Sequence, residues 1–167
     1  MRTGEAGTAD AFGDGDQFGF ALTISGDGNT IAVGANAEDS NATTINGNQA
    51  DNSAQSAGAV YVFTRASGVW RQQAYIKASN TGEAGTADTF GDGDQFGFAL
   101  AISGDGNTVA VGANAEDSNA TTINGNQNDT SMSGAGAVYV FTRPNANGAW
   151  TQQAYVKASN PGLGEAF

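Results

Sequence analysis

The sequence is a tandem repeat in which residues 3–80 align with residues 81–160 almost without change. The one difference in length is two extra residues before Trp150, relative to the segment before Trp70. Self-similarity at this spacing indicates one supersecondary unit that occurs twice and stacks on its own copy. We therefore predict a first unit at 1–80 and a second at 81–160. Residues 161–167 are predicted to start a truncated further repeat that clasps a neighbouring chain.

Each copy is predicted to contain four β-strands. In the first copy these are residues 18–25, 30–35, 58–65 and 70–79, where side chains alternate with the two-residue period of a strand. The chain has 25 glycines and only 2 prolines, and turn-forming residues cluster between these segments. An antiparallel four-stranded meander of this kind is typical of a β-propeller blade. The predicted fold is all-β, with two four-stranded antiparallel blades in each chain.

The predicted connections differ in length at the two ends of each unit. Residues 26–29 and 66–69 are short turns, whereas residues 36–57 and 80–95 are long loops that leave from the opposite end. The Gly-Asp-Gly-Asn sequence at 26–29 predicts an ordinary hairpin turn. Because most acidic residues lie in the long loops, that end of the unit is predicted to form an acidic face.

Composition excludes several functional classes. With 17 acidic and 6 basic residues, the chain lacks the basic footprint that nucleic acid requires, and no apolar stretch is long enough for membrane insertion. The absence of Cys and His excludes disulfides, thiol nucleophiles, imidazole bases and the usual zinc ligands. The carboxylates lie among Gly, Asn and Ser instead of in an apolar pocket that would raise the pKa of a catalytic acid. We therefore predict that the protein is not an enzyme.

Four sequence landmarks together resemble the FG-GAP repeat. They are Phe18-Gly19 at the start of the first predicted strand, Gly34-Ala35 at the end of the second, the segment Gly-Ala-Val-Tyr-Val-Phe from Gly58, and Trp-x-Gln-Gln-Ala-Tyr-x-Lys-Ala-Ser from Trp70. The resemblance covers nearly the whole chain, twice. It implies β-propeller blades like those of the integrin α-subunit and of bacterial surface proteins, with an extracellular or cell-surface location and a role in cell adhesion. No signal-peptide pattern follows Met1.

The chain departs from the FG-GAP pattern at two places. The proline that follows Gly-Ala in the family is Asn36, and Asn114 in the second copy. The family's calcium loop between the first two strands is reduced here to residues 26–30, in which only Asp27 matches the pattern. One carboxylate supplies too few of the six to eight oxygens that Ca²⁺ takes. Calcium binding in this turn is therefore not expected.

The long loops nevertheless contain acidic residues that could converge on a Ca²⁺ ion. The candidate metal ligands are Asp10, Asp14, Asp16, Glu38 and Asp39, with their second-copy counterparts Asp88, Asp92, Asp94, Glu116 and Asp117. Asp51 and Asp129 are further candidate binding residues. The alternative is that these side chains accept hydrogen bonds from loop backbone groups, as short polar residues commonly do. No cofactor other than Ca²⁺ is predicted.

Two blades cannot close a propeller. Rings usually contain about four to eight blades, so three chains would complete six and four chains would complete eight. Because the apolar faces at each end of the pair need cover, we predict a homo-oligomer, a trimer or a tetramer, or an open filament. The predicted function is a non-catalytic self-assembling scaffold or interaction module, either engineered or part of a larger surface protein. The alternative is a calcium-dependent adhesion module that binds a protein or a glycan through its acidic face.

Overall fold

The computed structural model describes residues 15–81 and 93–162, which form two four-stranded antiparallel sheets and contain no helix. The first sheet has the order β1-β2-β3-β4 and the second has the order β5-β6-β7-β8. The strands of the first sheet are β1 (Leu22–Ile24), β2 (Thr30–Ala35), β3 (Ala59–Ala66) and β4 (Val69–Ile76). Those of the second sheet are β5 (Phe96–Ile102), β6 (Thr108–Ala113), β7 (Ala137–Thr142) and β8 (Thr151–Val156). The prediction of an all-β chain with two antiparallel meanders is confirmed.

The predicted strand ends need correction in two places. β1 begins at Leu22 instead of residue 18, because within the described residues the preceding segment lacks the backbone hydrogen bonds from a neighbouring repeat that hold the start of β5. β4 ends at Ile76 instead of residue 79, because Val60, its last partner, lies one residue after the start of β3. Residues 163–167, which include most of the tail that we predict to hold a neighbouring chain, lie outside the described residues.

The turn between β1 and β2 is a hydrogen-bonded hairpin turn, as predicted. Asp27 accepts hydrogen bonds from the Ser25 hydroxyl at 2.5 Å and from the Asn29 backbone N–H at 3.0 Å. Gly28 has a φ of 68°, a left-handed conformation that glycine adopts without strain. The Asp27 carboxylate therefore shapes the turn, and these bonds lower its pKa, led by the one from Ser25.

Each sheet has two faces that pack differently, and we name them by the residues they carry. Face I carries Ala32, Val60, Val62 and Ile76 in the first sheet, and Ala110, Val138, Val140 and Val156 in the second. Face II carries Val33, Tyr61, Phe63 and Tyr75 in the first sheet, and Val109, Val111, Tyr139 and Tyr155 in the second. The alternation follows from the two-residue period of a strand.

Face I of the first sheet packs on face II of the second, and we call this contact the internal joint. One buried cluster contains residues of both sheets, including Val60 and Ile76 from the first and Val111 and Tyr139 from the second. Backbone hydrogen bonds also join the two repeats. The Phe96 N–H, at the start of β5, donates to the Ala57 carbonyl at 3.1 Å. The two repeats therefore share a core, and a second buried cluster on face II of the first sheet contains Ala35, Ala59, Tyr61 and Tyr75.

Backbones approach so closely at the internal joint that neither Gly34 nor Gly97 has room for a side chain. A Cβ added at Gly34 would lie 2.1 Å from the Gly97 carbonyl oxygen, which is far inside van der Waals contact. At Gly112, the counterpart of Gly34 in the second sheet, the nearest atom to an added Cβ is the Ala99 methyl carbon at 3.3 Å. The same residue is thus tightly enclosed in one copy and lies near an exposed side chain in the other.

We expect Gly34→Ala to separate the two sheets locally and to lower the free energy of unfolding by about 1–3 kcal/mol, as overpacking commonly does. Urea unfolding of dilute protein measures this change. The matched control is Gly112→Ala, which we expect to change stability much less, because the nearest atom is 3.3 Å away and belongs to Ala99 on the edge strand β5, which needs to move by only a few tenths of an ångström. Equal stability losses in the two variants would contradict the close approach at the internal joint.

Candidate functional site

Glu38, one of the predicted metal ligands, is buried in an ion pair. Its carboxylate accepts a hydrogen bond from the Lys77 ammonium at 2.8 Å and from the Tyr75 hydroxyl at 2.6 Å. Lys77 is 2% exposed and Glu38 is 3% exposed. The Ser40 backbone N–H also donates to this carboxylate, at 3.2 Å. The pair therefore ties the long loop after β2 to the end of β4, and Glu38 is not part of a solvated acidic face.

The second copy repeats this arrangement. Glu116 accepts hydrogen bonds from Lys157 at 2.7 Å and from the Tyr155 hydroxyl at 2.6 Å. Burial lowers the pKa of Lys77, although the nearby Glu38 carboxylate opposes that shift. Burial also raises the pKa values of Tyr75 and Tyr155 well above the ordinary tyrosine range. In both copies the pair is a structural tie between a loop and a strand.

Four loop aspartates hold backbone groups of their own loops. Asp39 accepts from the Ser56 N–H at 2.8 Å, and Asp51 accepts from the Asn41 N–H at 3.0 Å and the Ser53 hydroxyl at 2.8 Å. Their counterparts Asp117 and Asp129 repeat this pattern. Hydrogen bonding lowers the pKa of Asp51, led by the bond from Asn41. These bonds match the alternative in which the loop carboxylates hold loop backbone groups in place.

The remaining candidate ligands are only partly described. Asp94 is 1% exposed at the internal joint and accepts a hydrogen bond from the Asn80 amide at 3.0 Å, whereas its counterpart Asp16 is half-buried. Asp10, Asp14, Asp88 and Asp92 lie outside the described residues. Within residues 15–81 and 93–162, no group of three or more acidic residues is arranged to hold a metal ion. Calcium binding by the long loops stays a prediction.

Each outer face of the sheet pair has an open apolar region, although Tyr61 and Tyr75 on face II of the first sheet are buried. On face II of the first sheet, Leu22 is 69% exposed and Ile24 is 52% exposed, whereas their counterparts Leu100 and Ile102 pack against the shared core. Face I of the second sheet carries an apolar hollow of about 310 Å³, lined by Ala99, Leu100, Ala101, Ala110, Gly112 and Val138. At the matching place on the first sheet, β5 packs against β2.

Aromatic and loop residues show the same contrast between the copies. Phe18 is 39% exposed but its counterpart Phe96 is fully buried, and Trp70 is 38% exposed but Trp150 is only 4% exposed. Ile123 is 66% exposed, whereas Ile45 packs against the shared core. Since the paired sequences are nearly identical, the difference arises from cover: in each pair, one member lies in the internal joint and the other does not.

Strand length follows the same rule. β1 has 3 residues and β5 has 7, although residues 18–24 and 96–102 differ only at Thr23, which is Ala101 in the second copy. The start of β5 is held by the first sheet, because Gln95 and Phe96 donate backbone hydrogen bonds to Ser56 and Ala57. The first strand of the repeat therefore reaches seven residues only in the copy whose strand start is hydrogen-bonded to the neighbouring repeat.

A polar cluster, which we call the clasp, closes one end of the internal joint. Gln73 lies at a β-bulge in β4, where Val62 pairs with Ala74 and Phe63 pairs with Gln72, so Gln73 is left without a strand partner. Its side-chain oxygen accepts a hydrogen bond from the Trp150 indole N–H at 2.6 Å, and its amide donates to the Gly148 carbonyl at 3.0 Å. The bulge thus directs a first-sheet side chain onto the second sheet.

Arg143 is the other centre of the clasp. Its guanidinium donates hydrogen bonds to the Thr30 hydroxyl at 2.9 Å, the Gly106 carbonyl at 2.8 Å and the Ala146 carbonyl at 3.0 Å. It also lies over the Trp150 ring, 4.7 Å from the ring centroid. Arg143 is 4% exposed, so these bonds are shielded from water. The clasp is not predicted from the sequence, because its bonds between the two sheets join residues 70 to 113 positions apart.

Comparison of the chain with models of known protein families yields no match, and comparison with curated proteins yields no relative. The class that the fold defines is therefore a duplicated antiparallel β-sheet protein. Within the described residues, no helix is long and apolar enough to cross a bilayer.

Removing one partner of the buried ion pair should be strongly destabilising. We expect Lys77→Met to lower the free energy of unfolding by about 3–5 kcal/mol, because Glu38 is then left as a buried charge without a counter-ion. Urea unfolding measures the loss. Arg71→Met is the matched control, since Arg71 is exposed on the same strand and should change stability by no more than about 0.5 kcal/mol.

The tyrosines predict a loss of stability at high pH. Burial raises the pKa values of Tyr61, Tyr75, Tyr139 and Tyr155, so above about pH 10 the unfolded chain ionises phenols that the folded chain keeps protonated. Unfolding then releases protons. The contribution of these tyrosines to the free energy of unfolding is therefore complete below about pH 10 and decreases as the pH rises further.

The melting temperature should therefore decrease steeply above about pH 10, as thermal scans by circular dichroism would record. Lys77 and Arg143 act in the opposite direction because burial lowers their pKa values, but they are two groups against four tyrosines. Tyr61→Phe keeps the ring and removes one titrating phenol, so its decrease should be shallower. A melting temperature that stays constant through this range would contradict the burial of the phenols.

Proposed function

We propose that the chain is a non-catalytic scaffold that assembles with further copies of itself through its two open sheet faces. The observation that carries this proposal is the match between those faces and the internal joint. Face I of the first sheet packs on face II of the second. The open pair is face II of the first sheet and face I of the second, which have nearly the same sequences as the packed pair.

The internal joint supplies the geometry of the proposed assembly. The second sheet of one chain would pack on the first sheet of the next chain as the two sheets pack within a chain. Such a contact joins two different surfaces, so it is heterologous and continues from chain to chain until the rotation closes a ring or extends a filament. Each added chain covers one face II and one face I. In this assembly Leu22, Ile24 and Phe18 would gain the cover that their second-copy counterparts already have.

Burial of the open apolar faces against a further chain is energetically favourable. Open apolar faces of this kind are uncommon on monomeric proteins and mark interaction sites. Repeat units also derive much of their stability from contacts with neighbouring units. A β-propeller ring removes the exposed faces by closure, and the resemblance to the FG-GAP repeat supports that architecture, with three or four chains in a ring. The same resemblance supports an extracellular or cell-surface location.

Multi-angle light scattering tests the proposal. We expect particles of three or four times the 16.8 kDa chain mass, or longer filaments, at micromolar concentration. A chain that stays at 16.8 kDa across the accessible concentration range would falsify the proposal.

A charged substitution on the open face provides a second test. Leu22→Asp combined with Ile24→Asp should leave the single chain folded, because both side chains are largely exposed, and should weaken association at least about tenfold, because a carboxylate would be buried in each new contact. Val69→Asp is the matched control, since Val69 is 52% exposed but its counterpart Ala149 is also exposed and lies outside the shared core. Association that is equally weak in both variants would contradict the assignment of the face.

A further inference from the structure

The clasp of the internal joint has an incomplete second copy, divided between the two ends of the chain. Arg65 and Trp70 correspond to Arg143 and Trp150, and Thr108 and Gln153 correspond to Thr30 and Gln73. We propose that these residues form a second clasp between chains, with Arg65 and Trp70 of one chain bonded to Thr108 and Gln153 of the preceding chain. This inference rests on the proposed self-association and assigns the residues that fix its register.

The donor half is already arranged within the first sheet. The Arg65 guanidinium lies over the Trp70 ring, 5.5 Å from its centroid, and donates to the Asn29 side-chain oxygen at 3.2 Å. Arg143 likewise donates to the Asn107 side-chain oxygen at 3.2 Å. The difference is exposure, since Arg65 is exposed and Arg143 is 4% exposed. A surface arginine stacked on a tryptophan is a typical energetic centre of a protein interface.

The acceptor half is arranged by the same bulge. In the second sheet Val140 pairs with Ala154 and Phe141 pairs with Gln152, so Gln153 is the residue without a strand partner. Gln153 therefore occupies the position that directs Gln73 onto the neighbouring sheet, and Gln153 is exposed. Thr108 begins β6 as Thr30 begins β2, and Thr108 is half-buried where Thr30 is 2% exposed. Within the described residues, no further sheet covers Thr108 and Gln153 as the second sheet covers Thr30 and Gln73.

The two clasps would differ in one respect. The turn between β7 and β8 is longer by two residues than the turn between β3 and β4, and its Ala146 carbonyl accepts a hydrogen bond from Arg143. The shorter turn has no counterpart of Ala146, although Gly68 corresponds to Gly148. The clasp between chains would therefore lack this bond. Because this bond lies within the second sheet and holds the Arg143 side chain in position, Arg65 would be positioned less firmly than Arg143.

The clasp would also select one arrangement among the many that flat apolar faces permit. Face I of the second sheet is built largely from Ala, Val and Gly, which offer few features that oppose sliding. A bulged glutamine that must meet an indole N–H leaves unpaired polar groups in every other register, and buried unpaired groups are costly. The clasp therefore supplies specificity, whereas the apolar faces supply most of the affinity.

The test compares the same substitution at the two equivalent glutamines. Gln153→Ala should raise the concentration at which half of the assembly dissociates by about tenfold, because it removes the counterparts of the two bonds that Gln73 makes to Trp150 and Gly148. It should leave the melting temperature of the dilute single chain unchanged. Gln73→Ala, the matched control, should lower that melting temperature, because its bonds lie within the chain. Sedimentation velocity over a dilution series measures the first quantity.

A double-mutant cycle identifies the partner of Gln153. Trp70→Phe removes the indole N–H and keeps an aromatic ring, so it should weaken association, and the combination with Gln153→Ala should weaken it by less than the sum of the two effects. Additive effects would overturn the pairing. Association of Gln153→Ala equal to that of the unchanged protein would overturn the clasp and leave self-association intact. An unchanged protein that is monomeric at all concentrations would overturn both proposals.

Discussion

Each sheet in this protein carries apolar side chains on both faces, so each must be covered on both sides. Between the two sheets this requirement is met at the internal joint, where Val60 and Ile76 of the first sheet meet Val111 and Tyr139 of the second. The other features of the structure depend on that contact. The glycines permit the close approach of the backbones, the clasp closes one end, and the start of β5 is ordered by hydrogen bonds across it.

The buried Glu38–Lys77 pair has a different role, because it acts within one repeat. A loop of more than twenty residues follows β2, and its conformation would be costly to fix by weak contacts alone. The ion pair and the Tyr75 hydroxyl anchor the start of that loop to the end of β4, and Asp39 and Asp51 hold its backbone. Each repeat therefore organises its own loop, and the copies interact mainly through their faces.

Much of the fold could be predicted from the sequence, because strand alternation and turn residues are local signals. The meander, the hairpin turn at Asp27 and the duplication all follow from such signals. The burial of Glu38 could not be predicted in this way, because a loop glutamate resembles a solvated residue until Lys77, 39 positions later, is brought beside it. The contacts of Gln73 could not be predicted either, because the direction of its side chain depends on a β-bulge that the residue types do not indicate.

The longer turn at residues 144–147 has a consequence for symmetry. Even if the two repeats were identical, a closed ring would contain two kinds of joint, because the backbone connects the two sheets of one chain but not the sheets of different chains. The longer turn, which occurs in only one of the two copies, would add a second difference between joints within chains and joints between chains. A ring of six sheets would then have three-fold symmetry, and stress applied to it would open alternate joints, so the assembly would separate into intact chains and not into single repeats.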